Sequence, residues 1–346
     1  MKTVKIALLG LGNVGTGTYS VLEMNREQIE AAVGAHIMID KILTRDAKKK
    51  RTIDVSDDQI GVLGAAMKDK KKKRTIHISP EQLTQNYEDI VNDPEIDIVV
   101  EVMGGVEPAT TYMLDAMRNK KHVVTANKAA LAANFDKLKK CAEENNVMFR
   151  FEASVAGGIP ILSAITSVLR GNQFYEVMGI INGTTNYMLT QMTDHGLAYD
   201  DVLKIAQEKG FAEADPTDDV EGIDVANKLT ILIYIMFNKY VKPGDIPTEG
   251  ISKITKEQIE DAKAQGCKIK LIANARYFNG EFECSVKPTL LRNDHPLCGV
   301  NNEFNAVFIR GNAVGDLMFY GKGAGPLPTG SAVVGDVIEI AQRIND

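Results

Sequence analysis

The chain has 346 residues, which suggests about two domains with a sizeable core, and its 44% hydrophobic and 25% charged residues are ordinary for a globular protein. A formal net charge of -6 argues against a general nucleic-acid binder, which carries a basic balance. Cys141, Cys267, Cys284 and Cys298 show no Cys-x-x-Cys spacing, which argues against zinc and dithiol sites and for reduced thiols in a cytosol. The opening MKTVKIALLG reads as a strand rather than a signal peptide. The longest strongly apolar run, Leu229–Phe237, is about half a membrane span. A cytoplasmic protein with no membrane segment and no nucleic-acid partner is expected.

Val4–Leu9 is a continuous apolar run and predicts a buried strand. A glycine turn and a helix over Thr18–Ala32 follow, then a second strand at His36–Leu43. The basic stretch that contains KDKKKKR (Lys68–Arg74) reads as a solvated insertion more readily than as a nucleic-acid patch. Ile96–Val102, His122–Lys128 and Val147–Ala153 read as further strands, separated by helices over Thr110–Lys120 and Ala129–Asn145. Strands that alternate with helices predict a doubly wound parallel sheet. Beyond Gly158 come a helix over Pro160–Leu169 and a strand over Tyr175–Ile181. Cys267–Met318 then reads mainly as strands, which predicts a second, antiparallel sheet with helices against it. The last segment predicts a helix that packs back on the first domain.

GLGNVG (Gly10–Gly15) lies between the first strand and its helix, the context in which a G-x-G-x-x-G pattern carries weight. Gly10 permits the tight turn, Gly12 lets the backbone approach a pyrophosphate, and Gly15 lets helix and strand pack closely. The amides of Asn13 and Val14 would face the phosphates. A ligand-free strand–helix turn is the bland alternative. The second strand exits into Arg45 and Asp46; Arg45 favours the 2′-phosphate of NADP, and Asp46 leaves NAD possible.

The segment GFAEADPTDDVEGIDVANK (Gly210–Lys228) crowds acids ahead of one lysine. Asp215 and Pro216 look like a helix start, and acids in a first turn complement the helix dipole. Glu221, Asp224 and Lys228 would then share one helix face, with Gly222 in the helix interior at a cost of about 1 kcal/mol relative to alanine. Asp224 and Lys228 could be a plain surface ion pair. They could also be partly buried, because LTILIYIMF follows at once, and a desolvated lysine exchanges protons near neutral pH. That is what hydroxyl-to-carbonyl oxidation beside a nicotinamide requires. Lys128, at the exit of a strand in TANK, could hold a carboxylate, polarise a carbonyl, or simply be solvated.

Together GLGNVG, VVTANK, FEASVAGGIPIL, INGTTNYML, GFAEADPTDDVEGIDVANKL and GKGAGPLPTGSAVVGD resemble the homoserine dehydrogenase family nearly end to end. The resemblance implies an NAD(P)-dependent oxidoreductase that interconverts L-homoserine and L-aspartate 4-semialdehyde in threonine, methionine and isoleucine biosynthesis. It implies Lys228 as general acid/base, Lys128 as its partner at the cofactor–substrate junction, and Glu213 as ligand of the substrate amino group. Asp219 and Asp224 would orient substrate and Lys228. Met103, Gly104 and Thr125 would line the nicotinamide side, and Gly325 would touch the cofactor. EASVAGGI resembles the family's sodium site, with a side-chain oxygen from Glu152 and carbonyls of Val155, Gly157 and Ile159. A homodimer is implied, as are a dinucleotide-binding domain over residues 1–155 with 317–346 and a catalytic and dimerisation domain over 156–316. The chain stops after its last helix, so the C-terminal regulatory domain of many members is not expected, and the lysine-rich insertion departs from the family pattern. Two rivals stand beside this reading. One is another semialdehyde dehydrogenase with Cys298 and His295 as nucleophile and base. The other is a non-enzymatic dinucleotide sensor.

Overall fold

The computed structural model describes residues 2–46, 52–55 and 74–345; residues 68–73 of the lysine-rich run lie outside the described residues. The chain divides into two compact units. The first comprises Met1–Asn127, Asp136–Phe151 and Gly325–Asp346, and the second comprises Lys128–Phe135 and Glu152–Ala324. The helix Lys128–Asn145 contributes to both, and its backbone leaves helical geometry at Asn134 (φ -136°).

The strands of the first unit are β1 (Thr3–Leu9), β2 (His36–Leu43), β3 (Thr52–Val55), β4 (Arg74–His77), β5 (Leu83–Thr84), β6 (Ile98–Glu101), β7 (His122–Thr125) and β8 (Phe149–Arg150). Six of them form a parallel sheet in the order β5-β2-β1-β6-β7-β8, while β3 and β4 pair antiparallel by themselves. Ile6–Leu9, Ile98–Val100, Val123 and Val124 are fully buried. Strands covered on both faces need apolar residues at successive positions, which is why they read as continuous runs. The chain proceeds from β1 to β2 on one side and returns to β6 on the other. The strand order therefore reverses between β1 and β6, the place where open α/β sheets bind ligands at their carboxyl edge.

The helix expected over Thr18–Ala32 is two helices, Asn13–Met24 and Arg26–Val33. Asn25 ends the first, with both its main-chain N–H and its side-chain amide donating to the Val21 carbonyl. The helix Pro326–Asn345 lies against Asn13–Met24. The two backbones meet at glycines: a Cβ on Gly17 would sit 1.8 Å from the Pro326 carbonyl oxygen, and one on Gly330 would sit 2.4 Å from the Gly17 carbonyl carbon.

The second unit holds β9 (Phe174–Ile180), β10 (Cys267–Phe278), β11 (Glu281–Arg292), β12 (Phe304–Gly311) and β13 (Gly315–Lys322). They form an antiparallel sheet in the order β11-β10-β9-β12-β13. The helix Gly183–His195 packs on β10 and β12. Asn182 starts it by accepting from the Thr185 amide at 2.9 Å, and Gly196 (φ 64°) ends it in the left-handed conformation. The segment expected as a helix over Pro160–Leu169 is α-helical only over Ile161–Ser163 and continues as a π-turn over Ala164–Val168. A doubly wound parallel sheet and a separate antiparallel α+β unit are thus both present. No described helix is long and apolar enough to cross a membrane.

Gly17→Ala should lower stability by about 1–3 kcal/mol, because the added methyl meets main chain that cannot rotate away. The check is the urea midpoint; an unchanged midpoint would mean the two helices can separate without cost.

Candidate active site

β1 ends in the glycine turn and leads to the helix Asn13–Met24, whose N-cap is Gly12. No side chain caps this end, and Gly12 and Asn13 are exposed, so the first-turn amides face outward. A Cβ on Gly12 would point into open space, while one on Gly15 would lie 2.4 Å from the Gly10 carbonyl oxygen. Gly10 has φ 109°, and its added Cβ would lie 3.1 Å from the Val102 carbonyl oxygen at the exit of β6. An open, amide-rich helix start beside the strand-order reversal fits a dinucleotide pyrophosphate. Arg45 and Asp46 are exposed just beyond β2. Met103 and Gly104 follow β6, Thr125 ends β7 fully buried, and Gly325 (φ 113°) precedes the last helix.

The second unit assembles the acidic segment differently from a single helix. Thr217–Val220 is one short helix and Ile223–Phe237 another, with Gly222 between them at φ 80°. Gly222 is therefore the break rather than an interior residue, and Glu221 lies outside the second helix. Added to Gly222, a Cβ would meet both Thr248 and Val286 side chains at 3.1 Å. Asp215 sits one position further out than the sequence suggests. It accepts from the Thr217 amide at 3.2 Å and hydroxyl at 2.6 Å, and Pro216 is the N-cap.

The second helix carries Asp224 in its first turn and Lys228 one turn later, both buried. Lys228 Nζ lies 2.7 Å from Asp224 Oδ2 and donates to the Ile181 carbonyl at 2.8 Å. Lys128 Nζ reaches Asp224 Oδ1 at 2.7 Å from the start of its own helix. Asn182 joins the acids, its Nδ2 donating to Asp224 Oδ2 at 2.9 Å and to Asp219 Oδ1 at 2.6 Å. Sequence reasoning passed over Asn182; its signal was an asparagine at the helix-starting position of INGTTNYML. Two of the three ammonium protons of Lys228 are engaged, which leaves one direction for another oxygen.

Burial works against the charge on Asp224, yet Lys228 and Lys128 together hold its carboxyl well below the ordinary range. Burial pushes Lys228 below its ordinary 10.5, with Lys128 adding to the shift and Asp224 opposing it. Lys128, also desolvated but less enclosed, is carried the other way by Asp224 and stays above its ordinary value. Burial raises Asp219. The two lysines are thus shifted in opposite directions, Lys228 downward by burial and Lys128 upward by Asp224.

Glu213 is exposed on the loop before this cluster. The Glu152 carboxylate accepts from the Leu162 amide at 2.9 Å, the Ser163 amide at 2.6 Å and the Ser163 hydroxyl, so it caps the start of the next helix. Val155, Gly157 and Ile159 are buried in the same loop, which turns through left-handed Ala156 and Gly157. Among the described residues no cluster of His, Cys, Asp or Glu has a metal-holding arrangement. Cys298 lies in a hydrophobic cluster with Leu291, Leu297 and Phe308. His295 Nδ1 accepts from the Leu297 amide at 3.1 Å, while the Cys298 thiol turns to the Leu291 carbonyl at 3.8 Å and Asn293 Oδ1 at 3.5 Å rather than to an imidazole.

A family model described as "Homoserine dehydrogenase" matches residues 160–338, and one described as "Homoserine dehydrogenase, NAD binding domain" matches residues 10–152. The homoserine dehydrogenase of Bacillus subtilis (strain 168) is 43% identical over 344 residues, 99% of this chain and 74% of that protein. The chain belongs to the homoserine dehydrogenase family. The crystal structure of a homoserine dehydrogenase from Thiobacillus denitrificans matches with TM-score 0.88 at 42% identity, covering 100% of this chain and 74% of that one. A hyperthermophilic archaeal homoserine dehydrogenase in complex with NADPH matches with TM-score 0.75 at 25% identity, covering 99% of this chain and 98% of that one. In this homoserine dehydrogenase family member, the first unit is accordingly a dinucleotide-binding domain.

Asp224→Asn should cost roughly 3–5 kcal/mol at neutral pH, because it leaves two ammonium groups without the carboxylate that pairs with both. Since the folded-state carboxyl titrates below its ordinary 3.8, its contribution is present above pH 3.8 and is lost as pH falls below it. Urea unfolding across that range checks both points: the wild type should lose an increment there that Asp224→Asn lacks.

Proposed function

We propose that the chain interconverts L-homoserine and L-aspartate 4-semialdehyde with an NAD(P) cofactor. The observation that carries this reading is the Lys128–Asp224–Lys228 array, in which Asp224 and Lys228 are buried, bridged through Asn182 to Asp219. When bound, the nicotinamide supplies the acceptor or donor of a hydride at the substrate's C4. In the oxidation, neutral Lys228 takes the hydroxyl proton as the C4 oxygen becomes a carbonyl; in the reduction, its ammonium form returns that proton. Asp224 holds the Nζ atoms of both lysines and so directs where the proton is delivered. Lys128, whose charge Asp224 favours, polarises the same oxygen. Glu213 and Asp219 receive the substrate's ammonium group, which needs carboxylates.

Gly10, Gly12, Asn13, Val14 and Gly15 would hold the pyrophosphate, and Gly325 would lie against the nucleotide. Exposed Arg45 beyond β2 supports NADP over NAD. A monovalent cation, sodium by its hard oxygen donors, is proposed at the carbonyls of Val155, Gly157 and Ile159. Glu152, whose carboxylate also accepts from Leu162 and Ser163, is proposed as the side-chain oxygen of the same site. A homodimer is proposed as well; exposed Tyr175, Leu290, Met318 and Tyr320 on the antiparallel sheet are its support.

Nicotinamide reduction with L-homoserine, NADP⁺ and NAD⁺ run side by side, tests the reading. Turnover with both, faster with NADP⁺, is expected, and Arg45→Ala should bring the two rates together. Failure of the wild type with both nucleotides would overturn it. Lys228→Ala should lower kcat by about 10²–10⁴-fold, the usual worth of a general acid/base. Because Lys228 must be neutral to accept the proton, homoserine oxidation should rise with pH through a Lys228 pKa below 10.5 and then level off. Semialdehyde reduction should fall across the same range. The same slope in both directions would remove Lys228 from the proton-transfer step.

A further inference from the structure

Glu101 closes β6 with no exposed surface, and the reaction proposed above does not use it. Among the described residues its partners are neutral donors, with no lysine or arginine paired to it. The Met103 amide donates to Oε1 at 2.8 Å and the Thr125 hydroxyl to Oε2 at 2.6 Å, while Asn127 Nδ2 lies 3.4 Å from Oε1. Asn127 Nδ2 also donates to the Gly105 carbonyl at 2.7 Å, and the Asn127 amide donates to Thr125 Oγ at 3.0 Å. One carboxylate therefore ties the strip after β6 to the turn after β7.

Gly104 and Gly105 adopt φ 82° and 75° in succession, are both exposed, and a Cβ on Gly104 would touch nothing within 4 Å. The strip is anchored by the Met103 and Gly104 amides on Glu101 and by the Gly105 carbonyl on Asn127. It begins at the exit of β6, where Val102 meets Gly10 of the pyrophosphate turn. The flat, exposed peptide of Gly104 thus lies at the strand-order reversal, one strand over from the turn that receives the phosphates.

We propose that Glu101 is a positioning residue for the nicotinamide half of the dinucleotide, holding the Met103–Gly105 strip and the Thr125–Asn127 turn in one arrangement without touching the nucleotide. This rests on the dinucleotide reading given above. An ionised carboxylate accepts from the Met103, Gly104, Thr125 and Asn127 donors at once. A carboxamide presents one acceptor and one N–H₂ group, which would point at the Thr125 hydroxyl and displace its proton. Burial raises Glu101 above the ordinary carboxylate range, and the Thr125, Met103 and Asn127 donors oppose that rise, so the anion depends on the same contacts it maintains.

The test compares two ligands by fluorescence and calorimetric titration: NADPH, and 2′-phospho-ADP-ribose, which lacks the nicotinamide. In Glu101→Ala the Kd for NADPH should rise about tenfold, a loss on the scale of one or two hydrogen bonds. The Kd for 2′-phospho-ADP-ribose should stay within about twofold of wild type. Glu101→Gln keeps the size and one acceptor and should fall between; it also serves if the alanine variant does not fold. Equal weakening of both ligands would mark Glu101 as a general structural residue and overturn the proposal, as would unchanged NADPH binding in both variants. If wild-type protein binds neither ligand, the dinucleotide reading itself fails, an outcome distinct from either variant result.

Discussion

A carboxylate held between two ammonium groups inside the protein is the constraint on which the second unit depends. Asp224 is 4% exposed, and moving an anion to such a place costs several kcal/mol unless it is paired. Lys128 and Lys228 supply the pairing from two different helices, and Asn182 supplies a neutral donor from the start of a third. Each of these positions follows from backbone geometry. The break at Gly222 starts the Asp224 helix afresh, and the spacing of four residues then stacks Lys228 over Asp224. The apolar residues that continue this helix bury the pair and shift Lys228 downward. A surface pair of the same spacing would be worth only tenths of a kcal/mol and would shift little.

Glu101 and Asp224 form an instructive contrast. Both carboxylates are nearly inaccessible, yet burial leaves Glu101 raised while Asp224 is lowered. The difference is the neighbours. Amides and hydroxyls stabilise an anion less than two full positive charges do, so desolvation prevails at one site and Coulomb attraction at the other. One carboxylate is held by main-chain and hydroxyl donors, and the other between two ammonium groups.

Much of the fold was legible because its signals are local. Continuous apolar strands, alternating helices and a glycine turn at a strand end identify a doubly wound sheet, and the later strands identify the antiparallel one. The pairing of Asp224 with Lys228 was legible from spacing. The split at Gly222 was not, because a glycine inside an apparent helix and a glycine between two helices look alike in one dimension; its left-handed φ of 80° marks the break, where Thr248 and Val286 leave little room for a Cβ. The approach of Lys128 to Asp224 and the bridge through Asn182 join residues far apart in sequence, and no periodicity encodes them. Glu101 was hidden for a related reason: an acid that ends an apolar strand reads as the start of a loop, and its partners lie across a neighbouring strand.

The backbone contact between Gly17 and Pro326 has a consequence for the order in which the chain is made. The helix Asn13–Met24 leaves the ribosome early, but the helix that covers it begins only at Pro326, after the whole second unit. During synthesis the apolar face of the first helix waits through the emergence of some three hundred residues. The parallel sheet can pair in that interval, while its covering layer closes only after the second unit has been made. The unit begun first is thus completed after the one begun second.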